Sequence, residues 1–295
     1  MKRSSLNGNN WFTVINYSFL LMTGLICILP LIHMLAVSLS SPGAANANEV
    51  GLWPVGLNFL AYSNSFKDAV FLKSFSITIT RVILGTSLNM VLTFLLAYPL
   101  SKSNKTFPYK NVYIWLLVFT MLFNGGLIPN YILVKNLNLI DSIWALVLPP
   151  AVNCFFVILL VNFFKDLPRE LEESAFIDGA SHFGSMINIY IPLSLPIVAT
   201  LALFSMMGHW NSWFDGILYM NNTSNYPLQS YLQLLLEKSK TGSITMEEAQ
   251  AAANYASKRS IYVAEMFLAM VPVLIIYPFI QKYFTTGIVL GSVKG

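Results

Sequence analysis

Apolar positions fall into six long runs separated by polar islands. The runs cover Trp11 to Leu39, about Lys73 to Leu100, a stretch from Asn111, about Ser142 to Phe164, about Ile191 to Trp213, and about Ile261 to Phe284. A helix needs roughly 20 apolar residues to cross about 30 Å of hydrocarbon, so these runs predict six membrane spans. The third is short. Its clean apolar stretch stops at Phe123 and Asn124-Gly125-Gly126-Leu127-Ile128-Pro129 follows, which predicts irregular backbone completing the crossing where protein covers it. Tyr131 to Asp141 reads as a short interfacial segment, and Ser40 to Leu72 as a loop whose Trp53, Phe59, Tyr62 and Phe66 suit a membrane interface. The long polar segment Phe214 to Ser260 holds one amphipathic pattern, Leu228 to Lys238, with Leu232, Leu235 and Leu236 at helical spacing.

The island Leu167 to Pro192 is the chain's one sizeable acidic stretch in its second half. Pro168 suits a first helical position, where a missing N–H costs nothing. Glu170, Glu172 and Glu173 follow in the opening turns, where the helix dipole favours negative charge. Asp178-Gly179 predicts a stop, since glycine takes a left-handed conformation cheaply. Ser181 predicts the cap of a second helix running to Pro192. The expectation is a helix–turn–helix on the membrane surface.

Composition agrees: 56% of residues are hydrophobic and 10% charged, with mean hydropathy +0.62. Soluble domains carry about 25% charged residues, so the chain reads as an integral membrane protein. Cys27 and Cys154 both lie in apolar runs and read as embedded thiols, not as a disulfide or metal pair. Net charge is a modest +4 with no basic patch interleaved with aromatics, which argues against nucleic acid. Lys2-Arg3 before an apolar run suggests a signal peptide, and Ala45-Asn46-Ala47 offers a cleavage site. The run is much longer than a signal core, so a retained first span is expected. Lys102, Lys105 and Lys110 crowd one short loop without an acid. The positive-inside rule then places that loop, the acidic island and both termini in the cytoplasm.

Glu173-Ser174-Ala175, then Gly179, then Ile189-Tyr190-Ile191-Pro192 resembles the Glu-Ala-Ala, Gly, Ile-x-Leu-Pro signature of permeases in binding-protein-dependent ABC importers. Ser174 stands for Ala and Ile191 for Leu. Trp210-Asn211 and the ending Val293-Lys294-Gly295 are similar to the maltose-type (MalG-like) sugar branch. Asn124 to Pro129 resembles a subgroup linked to alginate and other complex oligosaccharides. The resemblance implies an all-α integral membrane fold with six transmembrane helices. It divides into residues 1–72 (tail, first span, outer loop), a MetI-like five-helix core over 73–284 with a cytoplasmic coupling loop at 165–191, and a tail at 285–295.

The resemblance also implies partners: a second permease, two ATPase subunits and an extracytoplasmic solute-binding protein that delivers an oligosaccharide. ATP and Mg would be used by the ATPases, with no cofactor on this chain. Leu171, Glu172, Glu173, Ser174, Ala175, Phe176, Asp178 and Gly179 would form the ATPase-coupling element. Leu171, Ala175 and Phe176 would be its docking face, and Glu172 and Glu173 would meet basic groups of the partner. Arg81, Asn124, Asn153, Trp210, Asn211, Trp213, Asp215 and Glu265 are assigned to the translocation pathway. A lone charge in a membrane is expensive, so Arg81 and Glu265 should pair, line the pathway, or snorkel separately to the headgroups. The tryptophans either stack on sugar rings or anchor the interface. In the maltose branch the other permease holds the sugar, which leaves direct contact here open. A permease of the same fold for a peptide, phosphate or metal is the alternative. An enzyme is disfavoured: His33, His182 and His209 are scattered, and no zinc-protease, nucleophile-elbow or phosphate-loop motif is present.

Overall fold

The computed structural model describes residues 10–240 and 259–278. The described residues are helical, with no strand among them. In chain order we number α1 Asn10–Ser38, α2 Pro42–Asn46, α3 Leu60–Ser65, α4 Ala69–Ser101, α5 Lys110–Leu122, α6 Leu127–Asn136, α7 Ile143–Val147 and α8 Cys154–Asp166. There follow α9 Glu170–Ile177, α10 His182–Leu193, α11 Leu195–Asn211, α12 Phe214–Tyr219, α13 Leu228–Lys240 and α14 Arg259–Pro278.

Three of these, α1, α4 and α14, are long and apolar enough to cross a membrane unbroken. They match the first, second and sixth predicted spans. Residues 11–30 of α1 are all exposed, although most of them are apolar. A helix hydrophobic all round finds its solvent in lipid.

The third and fourth spans are not single helices, and proline or glycine explains each departure. The third breaks after Leu122 and resumes as α6, bent by 113°. Gly126, at φ +91°, makes the turn. The segment after the break is thus helical where irregular backbone was expected, and Tyr131 belongs to α6. The fourth, expected as one helix over 142–164, is five-residue α7, a non-helical stretch at 148–153, and 13-residue α8. Pro149 and Pro150 remove two backbone donors, so the helical hydrogen-bond ladder cannot continue through them, although Leu148 itself keeps helical angles. The fifth expected span, about 191–213, is the single helix α11, and the second loop helix expected up to Pro192 is α10; the two meet at an 87° bend at Ser194. Pro192 and Pro196 flank that bend, and α10 contains a π turn over Met186–Tyr190 just before Pro192. Residues 279–284 of the sixth span and the tail at 285–295 lie outside the described residues.

The described residues group into two contact units. One comprises 10–69, 235–240 and 259–271, the other 70–234 and 272–278. In the first, Ala36, Val37, Ala44, Ala45 and Val50 are buried with Val263 against them. In the second, α4, α8, α10 and α11 meet around Ala97, Val157, Leu160 and Leu201, all at 0% exposure. That cluster supports both candidate sites below. Helix α13 confirms the amphipathic pattern with one shift: Leu228, Tyr231, Leu232 and Leu235 are buried, while Leu236 is 38% exposed. Cys27 and Cys154 are free thiols.

Candidate functional site

Among the described residues, two places that gather polar side chains are candidate sites, and both lie in the second unit.

The first is the loop helix α9. It begins at Glu170 with Arg169 as N-cap, so Pro168 sits just ahead of the helix and not at its first position. Glu170, Glu172 and Glu173 occupy the first turns. Asp178 is the C-cap and Gly179 follows at φ +85°. Ala180 N–H donates to the Ala175 carbonyl and Gly179 N–H to that of Phe176, at 2.9 and 3.1 Å. That pair of bonds is a Schellman motif, which a left-handed glycine permits. Ser181 then caps α10 by accepting from Gly184 N–H at 3.1 Å.

Glu172 points inward. Its Oε1 accepts from the Tyr98 hydroxyl at 2.7 Å and from Lys102 Nζ at 2.5 Å, and its Oε2 accepts from the Tyr190 hydroxyl at 2.8 Å. The Lys102 ammonium lies 3.7 Å from the Tyr98 ring centre and 3.9 Å from that of Tyr190. The two rings meet edge to face at 5.1 Å. A cation over such faces is attracted by their quadrupoles. Lys110 Nζ in turn donates to the Lys102 carbonyl. Burial pushes the Glu172 carboxyl up, but the hydrogen bonds from Lys102, Tyr98 and Tyr190 outweigh it and hold the group below its ordinary value. Burial also moves Lys102 below the ordinary lysine value, against the pull of Glu172. Phe176 packs edge-on against His182 at 4.8 Å.

The expectation that Glu172 reaches for a partner is therefore corrected: three intramolecular donors already hold its carboxylate. Glu173 and Ser174 are exposed, Ala175 is half-buried, and Asp178 and Gly179 are exposed. The open apolar residues are Leu171 at 41%, Phe176 at 37% and Ile177 at 85%. Ile177 was not among the residues singled out from sequence, although it sits in the same helix.

The second place is a cavity of about 430 Å³ between α4, α7, α11, α12 and the 148–153 break, lined by Arg81, Asn89, Asn153, Ser205, His209, Ser212 and Asp215 among others. Arg81 is 1% exposed. Its two terminal nitrogens donate to the two carboxylate oxygens of Asp215, and one of them also to the Ser212 carbonyl at 3.3 Å. Asp215 further accepts from the Ser212 hydroxyl at 2.8 Å and from Gly216 N–H at 2.9 Å. The counter-charge of Arg81 is thus Asp215, assigned from sequence to the pathway but not to that arginine. Separate snorkelling is excluded for Arg81. Glu265 is fully buried within the other unit.

Asn89 Nδ2 donates to the Pro150 carbonyl at 3.2 Å, meeting a group that the proline break frees. Its Oδ1, Arg81 Nε and Ser205 Oγ are buried without a hydrogen-bond partner. Gly85 admits the His209 ring: a Cβ there would lie 2.4 Å from Cε1 and Nε2. Asn153 caps α8 by accepting from Phe156 N–H at 3.3 Å.

Of the assigned pathway residues, the cavity unites Arg81, Asn153 and Asp215. The others lie elsewhere. Asn124 is exposed in the α5–α6 turn, where it accepts from Gly126 N–H. Trp210 packs edge-on against Phe75 at 6.0 Å and lines a separate apolar cleft with Ile79, Met206 and Met207. Asn211 is exposed, and Trp213 is 41% exposed beside Phe214. Asn89, Ser205 and His209 were missed. One signal was available, since Arg81, Gly85 and Asn89 recur at four-residue steps and so share a face of α4.

Residues 83–290 match the family described as "Binding-protein-dependent transport system inner membrane component". The chain is 40% identical to the polygalacturonan/rhamnogalacturonan transport system permease protein YtcP of Bacillus subtilis (strain 168), over 97% of this chain and 99% of that one. It is also 40% identical to Protein LplC of the same organism, over 96% of this chain and 95% of that one. Among solved structures, it is similar to a chain of a bacterial ABC transporter involved in the import of the acidic polysaccharide alginate. That match has a TM-score of 0.84 and 29% identity, covering 96% of this chain and 100% of the other.

Proposed function

This chain belongs to the binding-protein-dependent transport system inner membrane component family, as a multi-pass, non-catalytic permease subunit of an ABC transporter, and we propose that it imports oligosaccharides rich in acidic sugars. The observation that carries the reading is the partly open cavity of about 430 Å³, whose largely apolar wall carries Arg81, Asn89, Asn153, Ser205 and Asp215. Hydroxyl-rich ligands are held by such side-chain amides, hydroxyls and charged pairs, placed sparsely in an otherwise apolar pocket. The relatives named for pectin-type and alginate polysaccharides support the sugar class.

In this reading the chain pairs with a second permease, which supplies the rest of the pathway. Two ATPase subunits bind and hydrolyse ATP with Mg, and an extracytoplasmic binding protein delivers the sugar. Helix α9 docks on an ATPase through Leu171, Phe176 and Ile177, with Glu173 facing basic groups, and both termini lie in the cytoplasm. Alternating access then follows from ATP favouring one of two states of the assembly.

The test is ATPase activity in membranes carrying this chain, its neighbouring permease, the ATPase and the cognate binding protein. Oligogalacturonides should stimulate hydrolysis, and Glu173→Ala or Gly179→Pro should lose the stimulation or the ATPase itself. Stimulation by a peptide, phosphate or metal and not by any sugar would refute the substrate class while leaving the family intact.

A further inference from the structure

We propose that Glu172 is a positioning residue that rivets the loop helix to the end of α4, so that the two move as one body. The inference rests on the coupling role given to α9 above.

Helix α9 has only eight residues, none of them buried. Isolated helices shorter than about 12 residues are marginal in water, so this one depends on its tethers. The described tethers are few: the Schellman bonds, the Phe176–His182 contact and the Glu172 carboxylate. The last is by far the strongest in kind. One charged group accepts from three donors, two of them on neighbouring helices, Tyr98 of α4 and Tyr190 of α10, and the third, Lys102, one residue past the end of α4. Hydrogen bonds to an ionised acceptor are about twice as strong as neutral ones. The side chains of Lys102 and Glu172 are only 10% and 13% exposed, so water screens the pair little. The two tyrosine rings meet edge to face beside the ammonium, at 3.7 and 3.9 Å, which fixes its direction as well as its charge.

Neighbouring glutamates thus take opposite tasks. Glu173 is exposed and free to meet a partner, whereas Glu172 is consumed within the chain. Helix α4 runs on unbroken from Tyr98 to Arg81, 17 residues and about 25 Å away at ~1.5 Å per residue. At that point the Arg81–Asp215 pair ties it to the cavity wall. A push on α9 therefore reaches the cavity through one continuous rod with an ionic joint at each end. Were α9 loosely hinged, the push would be absorbed at the loop.

The experiment compares the assembled transporter carrying wild type, Glu172→Gln, the hydroxyl-only variant Tyr98→Phe/Tyr190→Phe, and Ile177→Asp as a docking control. Three quantities are read: ATPase copurification, the ratio of stimulated to basal hydrolysis, and a spin-label distance between Ser174→Cys and Lys105→Cys with Cys27 and Cys154 replaced by serine. Glu172→Gln should keep the ATPase, broaden the label distance and lower the stimulation ratio on the order of tenfold, the usual size of coupling between sites. The tyrosine variant should move the same way by less, and it decides the matter if Glu172→Gln does not assemble. Ile177→Asp should lose the ATPase and keep a narrow label distance. The rivet is refuted if the Glu172 or tyrosine variants keep a wild-type ratio and distance, or if Glu172→Gln sheds the ATPase with its label distance unchanged. If wild type itself never holds an ATPase, the coupling reading fails, and the label distances still test the rivet.

Discussion

Removing Asp215 should be much worse than removing Arg81, and removing both should recover much of the loss. Arg81 is 1% exposed, and its two terminal nitrogens meet Asp215; only the Ser212 carbonyl at 3.3 Å would remain for it in Asp215→Ala. Breaking a buried pair by deleting one partner costs about 3–5 kcal/mol, because the other charge stays buried. At 1.4 kcal/mol per decade that is roughly a hundred- to several-thousand-fold in the folding equilibrium. Arg81→Met removes the charge and keeps most of the volume. Asp215 then retains the Ser212 hydroxyl and Gly216 N–H, and at 22% side-chain exposure it can be hydrated from the cavity. Its loss should be about 1–3 kcal/mol, the range for a buried polar group losing one partner, and towards the low end because those two protein partners and water remain. The assay is reversible unfolding of the purified complex in mild detergent, run as a double-mutant cycle with Arg81→Met/Asp215→Ala. The expected order of stability is wild type, then the double variant close to Arg81→Met, with Asp215→Ala last. Single losses that simply add, within about 0.5 kcal/mol, would refute the pairing, and so would Arg81→Met proving the worse single change.

Three further outcomes follow from the geometry. Gly85→Ala should destabilise by about 1–3 kcal/mol, since its Cβ would stand 2.4 Å from the His209 ring; thermal melts should show His209→Ala relieving most of that loss. Gly179→Ala should cost about 1–2 kcal/mol through backbone alone, because φ is +85° and nothing lies within 4 Å of the added carbon; Gly179→Asn should cost less, and equal losses would point to a steric cause instead. Glu172 is held below its ordinary value of 4.5, so the unfolded chain takes up its proton first as pH falls. Its contribution to stability should be complete above that value and drain away below it, giving an acid-side slope in melting temperature that Glu172→Gln lacks.

The spans show how far periodicity carries. Helices α1, α4 and α14 were legible because a long unbroken apolar run has one solution in a bilayer. Pro149-Pro150, Pro192, Pro196 and Gly125-Gly126 were legible as residues, but the bends they make were not. A proline forbids a hydrogen bond without dictating the angle of the next helix, and packing sets that angle. The loop is the same case at smaller scale. Its helix, its Gly179 stop and the Ser181 cap followed from local chemistry. The direction of Glu172 did not, because Tyr98 and Lys102 are some 70 residues away in sequence.

Sequence alone determined that this is a membrane permease with a surface helix built to a family pattern. Composition, run length and capping are local properties, and they survive in any arrangement of the chain. Only the tertiary structure decided which charges meet. Arg81 could have paired with any acid or with water, and it took Asp215 because the turn after α11 brings that carboxylate, already fixed by Ser212 and Gly216, to the face of α4 that Gly85 keeps open for His209. Desolvation makes an unpaired charge too costly to leave, so a partner is required; which partner is available is a matter of how distant segments pack.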